Sequence, residues 1–296
     1  MSKIINFIVL QASVVFNQQL YLFGEDYPDT KEGRNMAFRN VIDKFKVKKT
    51  LKINPKITEY VLVYKVNITE DILYCQLAKK TQLDTYKLTE NTIKQESIES
   101  YPPLDVFINL TRQQFAVELN TKILSASTIV TTVKNLINSL VREYSIFFNT
   151  IENKKEFWDL FSDRDAIQEI AFDMVVPNFF GVSGAANELV NGAKSHMNAD
   201  SVELSIKNKK GALQVSFETI DSFVRYSSTA GSWKLKFKAE GETKYKTIYS
   251  TDYCMKKEIE SDIIDIVRKM DGNYKIKQDV LSGLVEKLNE LFKNEE

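Results

Sequence analysis

Apolar residues run from Ile4 to Phe16, interrupted only by Asn6, Gln11 and Ser13, and many of them are β-branched. This pattern predicts a buried first strand with a bend near Gln11. Phe38, Val41, Ile42 and Phe45 then recur at helical spacing, after turn and N-cap residues at Pro28-Asp29-Thr30. Three short β-rich runs follow, Leu51–Ile53, Tyr60–Val66 and Ile72–Leu77, and read as an antiparallel meander. The polar stretch 84–103, ending in Tyr101-Pro102-Pro103, reads as a surface loop. Val106–Leu110 and Gln114–Leu119 flank Thr111-Arg112-Gln113 as a hairpin. From Ile129 to Phe148 the period changes, and the spacing predicts one continuous helix.

The polar segment 149–155 is the expected joint between two halves, residues 1–150 and 151–296. In the second half, Ile170–Val176, Val202–Ile206, Leu213–Phe217, Trp233–Ala239 and Tyr245–Tyr249 read as strands. Residues 184–198, 259–270 and 280–292 read as helices. The fold class is therefore α+β: two halves, each a mostly antiparallel sheet covered by amphipathic helices. The apolar stripe from Leu281 to Phe292 either docks on its own sheet or mediates self-association, so a homo-oligomer is one expected assembly.

Composition removes much chemistry. A structural zinc site needs four nitrogen or sulfur ligands, and Cys75, Cys254 and His196 supply three. The two cysteines lie too far apart for a disulfide framework and read as reduced cytoplasmic thiols. Lys3 followed by Ile4–Leu10 loosely mimics an export signal. Asn6 interrupts that run and Gln11–Val15 is a poor cleavage site, so a strand is the reading. No run approaches the roughly 18 apolar residues of a membrane helix, and membrane insertion is not expected. No cofactor or metal signature is present.

Candidate chemistry is sparse. Asp105 and Glu118 sit on the expected hairpin at a spacing suited to a metal-dependent nuclease. The position that should carry Lys is Asn120, with Lys122 two residues late. Gly181-Val182-Ser183-Gly184 departs from a nucleophile elbow at Ala185. His196 has no obvious catalytic companion, and Asp262 with Asp265 fits the polar face of a helix.

Charge is more informative. Forty basic and forty acidic residues cancel overall. Between 31 and 56, however, Lys31, Arg34, Arg39, Lys44, Lys46, Lys48, Lys49, Lys52 and Lys56 oppose only Glu32 and Asp43, giving +7. Between 207 and 257 the surplus is +6, eleven bases against five acids. Lys234, Lys236 and Lys238 alternate along one strand, so all three project from one face about 7 Å apart. Together with Lys207, Lys209, Lys210, Lys244 and Lys246 they form the expected polyanion site, for nucleic acid phosphates or an acidic protein surface.

The segments Leu104–Leu110, Gln114–Asn120 and Met174–Asn178, with a Lys-rich turn between Val202 and Phe217 and a helical C-terminus, resemble bacterial and prophage-encoded phage-defence proteins of the RexA-like phage-exclusion kind. That resemblance implies a cytoplasmic sensor or adaptor that binds DNA or a phage product and acts with a partner effector protein. It carries over no functional residue.

Overall fold

Why the first strand is apolar on both sides is explained by its place in the sheet. The computed structural model describes residues 3–16, 30–54, 58–89, 92–151, 154–162, 166–176, 184–211, 213–238, 242–270 and 278–293. Ile4–Phe16 forms β1, buried almost throughout. On one side it pairs with β8 (Gln114–Glu118). On the other it pairs with two strands in succession. β14 (Lys256–Glu260) covers Ile4–Ile8, and β9 (Tyr144–Thr150) covers Leu10–Phe16. Beyond β8 lie β7 (Pro103–Asn109), β4 (Ile72–Lys79), β3 (Tyr60–Asn67) and β2 (Thr50–Ile53), every pair antiparallel.

Helices cover both faces of this sheet. α1 (Lys31–Lys48) starts where the Thr30 side chain accepts a hydrogen bond from Gly33 N, and ends at Lys49 with φ 62°. Its Phe38, Val41, Ile42 and Phe45 pack with Ile129, Val133, Leu136 and Ile137 of α2 (Ala126–Asn138) against Ile8, Leu10 and Phe115. The opposite face, lined by Phe7, Val9, Tyr74 and Phe107, receives α6 (Ser261–Arg268) and α7 (Gln278–Leu291). Successive residues of β1 thus feed two different cores, which requires an uninterrupted apolar run.

The second sheet has the order β11 (Ser201–Lys207), β10 (Ala166–Val175), β12 (Gly231–Lys238), β13 (Lys246–Tyr249), again antiparallel. α3 (Lys154–Ser162), α4 (Ala185–Met197) and α5 (Phe217–Ala230) cover one face, packing Phe157, Val190, Ile220 and Val224 on Ile170, Phe172, Trp233 and Leu235. α5 and β12 join with no room to spare: a Cβ at Gly231 would meet the Asp173 carbonyl oxygen at 2.1 Å. The architecture is α+β, as the period changes along the chain predict.

Four local expectations change. The helix expected to run from 129 to 148 ends at Asn138, and Tyr144–Thr150 is a strand. The Asn138 side chain bonds both Ile146 N and Ile146 O at 2.7 Å, fixing the turn between them. Leu213–Ser216 is not a strand, and Phe217, expected at its end, instead opens the helix α5. Within the stretch expected to be a loop, Thr81–Thr89 (β5) and Thr92–Ser100 (β6) form a two-stranded hairpin. Finally, β14, α6 and α7 do not pack with the second sheet. They return to the first sheet, where the Leu284, Leu288, Leu291 and Phe292 stripe is buried against that sheet rather than left for self-association.

Candidate functional site

The alternation along β12 holds. Trp233, Leu235 and Phe237 face the core, while Lys234, Lys236 and Lys238 share the outer face. That face is not a uniform row of free cations. Glu169 on β10 lies between two strands, with Oε1 2.7 Å from Lys234 Nζ and 3.4 Å from Lys207 Nζ. The hydrogen bond from Lys234 holds the Glu169 carboxyl below its usual range, and the same bond pushes the Lys234 ammonium up. Lys246 Nζ lies 2.6 Å from Glu242 Oε1. Lys207, Lys234 and Lys246 are therefore partly neutralised from within. Lys209, Lys210, Lys236, Lys238 and Lys244 have no carboxylate partner among the described residues.

Three elements bring the remaining lysines to one end of the sheet. Lys238 lies opposite Ala166 and Lys236 opposite Glu169, near the start of β10. Asn208 N donates to Gln168 O, and Gln168 Nε2 donates to Lys209 O, tying the Lys209-Lys210 turn to the same end. Tyr245 completes the cluster: its ring centre is 5.9 Å from Lys236 Nζ. Gly211, with φ 76°, suits the turn that closes on it, and a Cβ there would meet the Tyr245 hydroxyl at 2.3 Å. At the other end of the face, Asp173 and Glu203 lie opposite each other. Desolvation and the Glu203 charge push the Asp173 carboxyl up. The outer face is thus polarised, basic at one end and acidic at the other.

Asp105 and Glu118 also come together, as their hairpin spacing predicts. Asp105 N donates to Glu118 Oε2 at 3.2 Å. Asp105 is 1% exposed and both its carboxylate oxygens are engaged. Oδ1 accepts from the Tyr74 hydroxyl at 2.6 Å, and Oδ2 accepts from Arg268 Nε at 3.1 Å and Nη2 at 2.6 Å. Arg268 Nη2 is also 3.9 Å from Glu118 Oε2. Burial, helped by the neighbouring Asp105 charge, raises the Glu118 carboxyl above its ordinary range, and burial together with Asp105 raises the Tyr74 phenol. The Arg268 guanidinium thus supplies the positive charge beside these two carboxylates. Among the described residues no three His, Cys, Asp or Glu side chains are grouped to hold a metal ion. Arg268 had no sequence signal tying it to Asp105, since they lie 163 positions apart.

The other sequence candidates do not assemble. Gly181, Val182 and Ser183 lie outside the described residues. His196 is exposed in the last turn of α4, and Asp262 and Asp265 are exposed on α6, where Asp265 meets Arg268 Nη1 at 3.4 Å. Cys75 and Cys254 are buried and not joined in a disulfide, and burial pushes the Cys75 thiol up. Among the described residues no helix is long and apolar enough to cross a membrane. No protein-family model matches the chain, and no curated protein matches it.

Proposed function

We propose that this protein is a non-catalytic cytoplasmic adaptor that binds nucleic acid through the basic end of its second sheet and acts with a separate effector protein. The assignment to phage defence rests on the resemblance to phage-exclusion proteins. The binding reading rests on one observation. Lys209, Lys210, Lys236, Lys238 and Lys244, drawn from a turn, a strand and the β12–β13 connection, share one end of a sheet without carboxylate partners among the described residues. Such a cluster neutralises phosphates without reading bases, so binding is insensitive to sequence and steeply weakened by salt.

Fluorescence anisotropy with a labelled duplex at 50 and 200 mM salt tests this. The expected result is binding at low salt that weakens at least tenfold at high salt and is lost in Lys236→Glu/Lys238→Glu. Absence of binding by the folded wild-type chain at 50 mM salt removes the nucleic acid reading.

A further inference from the structure

The β5–β6 hairpin is a direct extension of the main sheet. Ala78 faces Pro103 in the β4–β7 pair and Thr81 faces Ser100 in the hairpin, so the ladder continues in one register as a two-stranded ribbon. Nine residues a strand give it a reach of roughly 30 Å. Its base is braced by Lys80 with Glu99 at 2.5 Å and by Tyr101 donating to Glu59 at 2.9 Å. Beyond that base the ribbon pairs, among the described residues, only with itself, and almost every side chain in it is exposed. A lone hairpin is marginal in water. This one nevertheless ends in Tyr86, Leu88 and Ile93, exposed by 70, 79 and 70%.

The register sorts the ribbon's two sides. Tyr86 and Leu88 alternate on one face, and Ile93 lies opposite Leu88 on that same face, together with Asp84. Lys87 and Lys94 lie opposite each other on the reverse. That side carries three of the ribbon's five exposed large apolar side chains, with Asp84 and Glu99 as its charges, while the reverse carries Leu83, Ile98, Glu96 and both lysines. The complementary surface exists on the same molecule. The outer side of α1 exposes Met36 by 55% and Val47 by 85%, beside Lys44 and Lys48, with Arg39 held by Asp71 at 2.9 Å and Asp43 by Lys46 at 2.5 Å, and residues 31–48 carry +4. Met36, Arg39, Lys44, Val47 and Lys48 line a shallow hollow along the helix.

We propose that the ribbon of one copy docks on α1 of a second copy, and reciprocally, giving a two-fold dimer held by two identical ribbon–helix contacts. The partner is a second copy because opposite charge and exposed apolar side chains occur as a matched pair on one chain. Neither surface belongs to the basic end of the second sheet, so the dimer and the nucleic acid reading fail independently.

Sedimentation velocity and disulfide trapping on the full chain decide it. Wild-type protein is expected at twice 34.1 kDa, and Leu88→Asp or Val47→Asp, both exposed positions, should each weaken dimerisation at least tenfold while leaving the circular dichroism spectrum unchanged. Leu88→Cys mixed with Val47→Cys should form a cross-linked heterodimer on mild oxidation, and neither variant alone should cross-link. A monomeric wild-type chain overturns the proposal. So does efficient cross-linking of Leu88→Cys with itself, which would place ribbon against ribbon.

Discussion

Arg268 on α6 donates through Nε and Nη2 to one oxygen of Asp105 on β7, joining positions 163 apart in sequence. Asp105 is fully buried, while the guanidinium is partly open to solvent. Removing the arginine leaves a buried carboxylate with, among the described residues, only the Tyr74 hydroxyl as partner. Arg268→Met is therefore expected to cost about 3 kcal/mol. Adding Asp105→Asn to that variant should recover most of the loss, because the uncompensated charge is gone. Urea unfolding of the two variants beside wild type measures both numbers.

Glu118, beside this pair, gives a pH signature of its own. Its carboxyl is raised in the folded state, mainly by burial, so the folded chain holds that proton to higher pH than the unfolded chain does. Stability from this group therefore falls as pH rises from its ordinary value of 4.5 through the raised folded value, and the penalty is complete above that window. Glu118→Gln keeps an oxygen to accept from Asp105 N. It should raise the melting midpoint at pH 7 and make no difference at pH 4, as thermal melts across that range will show.

How much of this was legible depends on the range of the interaction involved. The two-residue period of β12 depends only on neighbours, and Lys234, Lys236 and Lys238 share a face as read. The helix stripe of α2 was legible for the same reason, but Tyr144–Thr150 was absorbed into it. Ile146 and Phe148 fit either period until pairing with β1 chooses the strand. The β5–β6 ribbon was hidden because it buries almost nothing, so its polar residues look like a loop. Glu169 and Arg268 acquire their roles from partners on other strands and helices, which spacing along the chain does not encode.

The destination of the C-terminal helix yields a stability prediction. Leu288 of α7 is fully buried with Phe7, Tyr74 and Phe107 of the first sheet. Leu288→Ala should cost about 3 kcal/mol, since the rigid sheet beneath cannot collapse into the space. Removing residues 278–296 uncovers the part of that face beneath α7 and leaves only α6 on it among the described residues. The truncated chain is expected to aggregate rather than sediment as a smaller, well-folded species.

Glu169 is the strongest internal competitor for any phosphate arriving at the second sheet. Its Oε1 contacts Lys234 and Lys207, and hydrogen bonding from Lys234 keeps it ionised well into the acid range. Its contribution to stability is present above the ordinary carboxylate value and is lost only as pH falls through the depressed one. Both lysines are partly exposed, so the pairs contribute little, of the order of 1 kcal/mol or less. Glu169→Gln removes that counter-charge and releases two ammonium groups onto the face already carrying Lys236 and Lys238. Duplex binding should tighten several-fold at low salt, and the slope of log affinity against log salt should steepen by about 1–2 as up to two more phosphates are neutralised. Anisotropy titrations of the two proteins at three salt concentrations supply both quantities. An unchanged affinity and slope in the folded variant would mean that phosphates approach some other part of the surface.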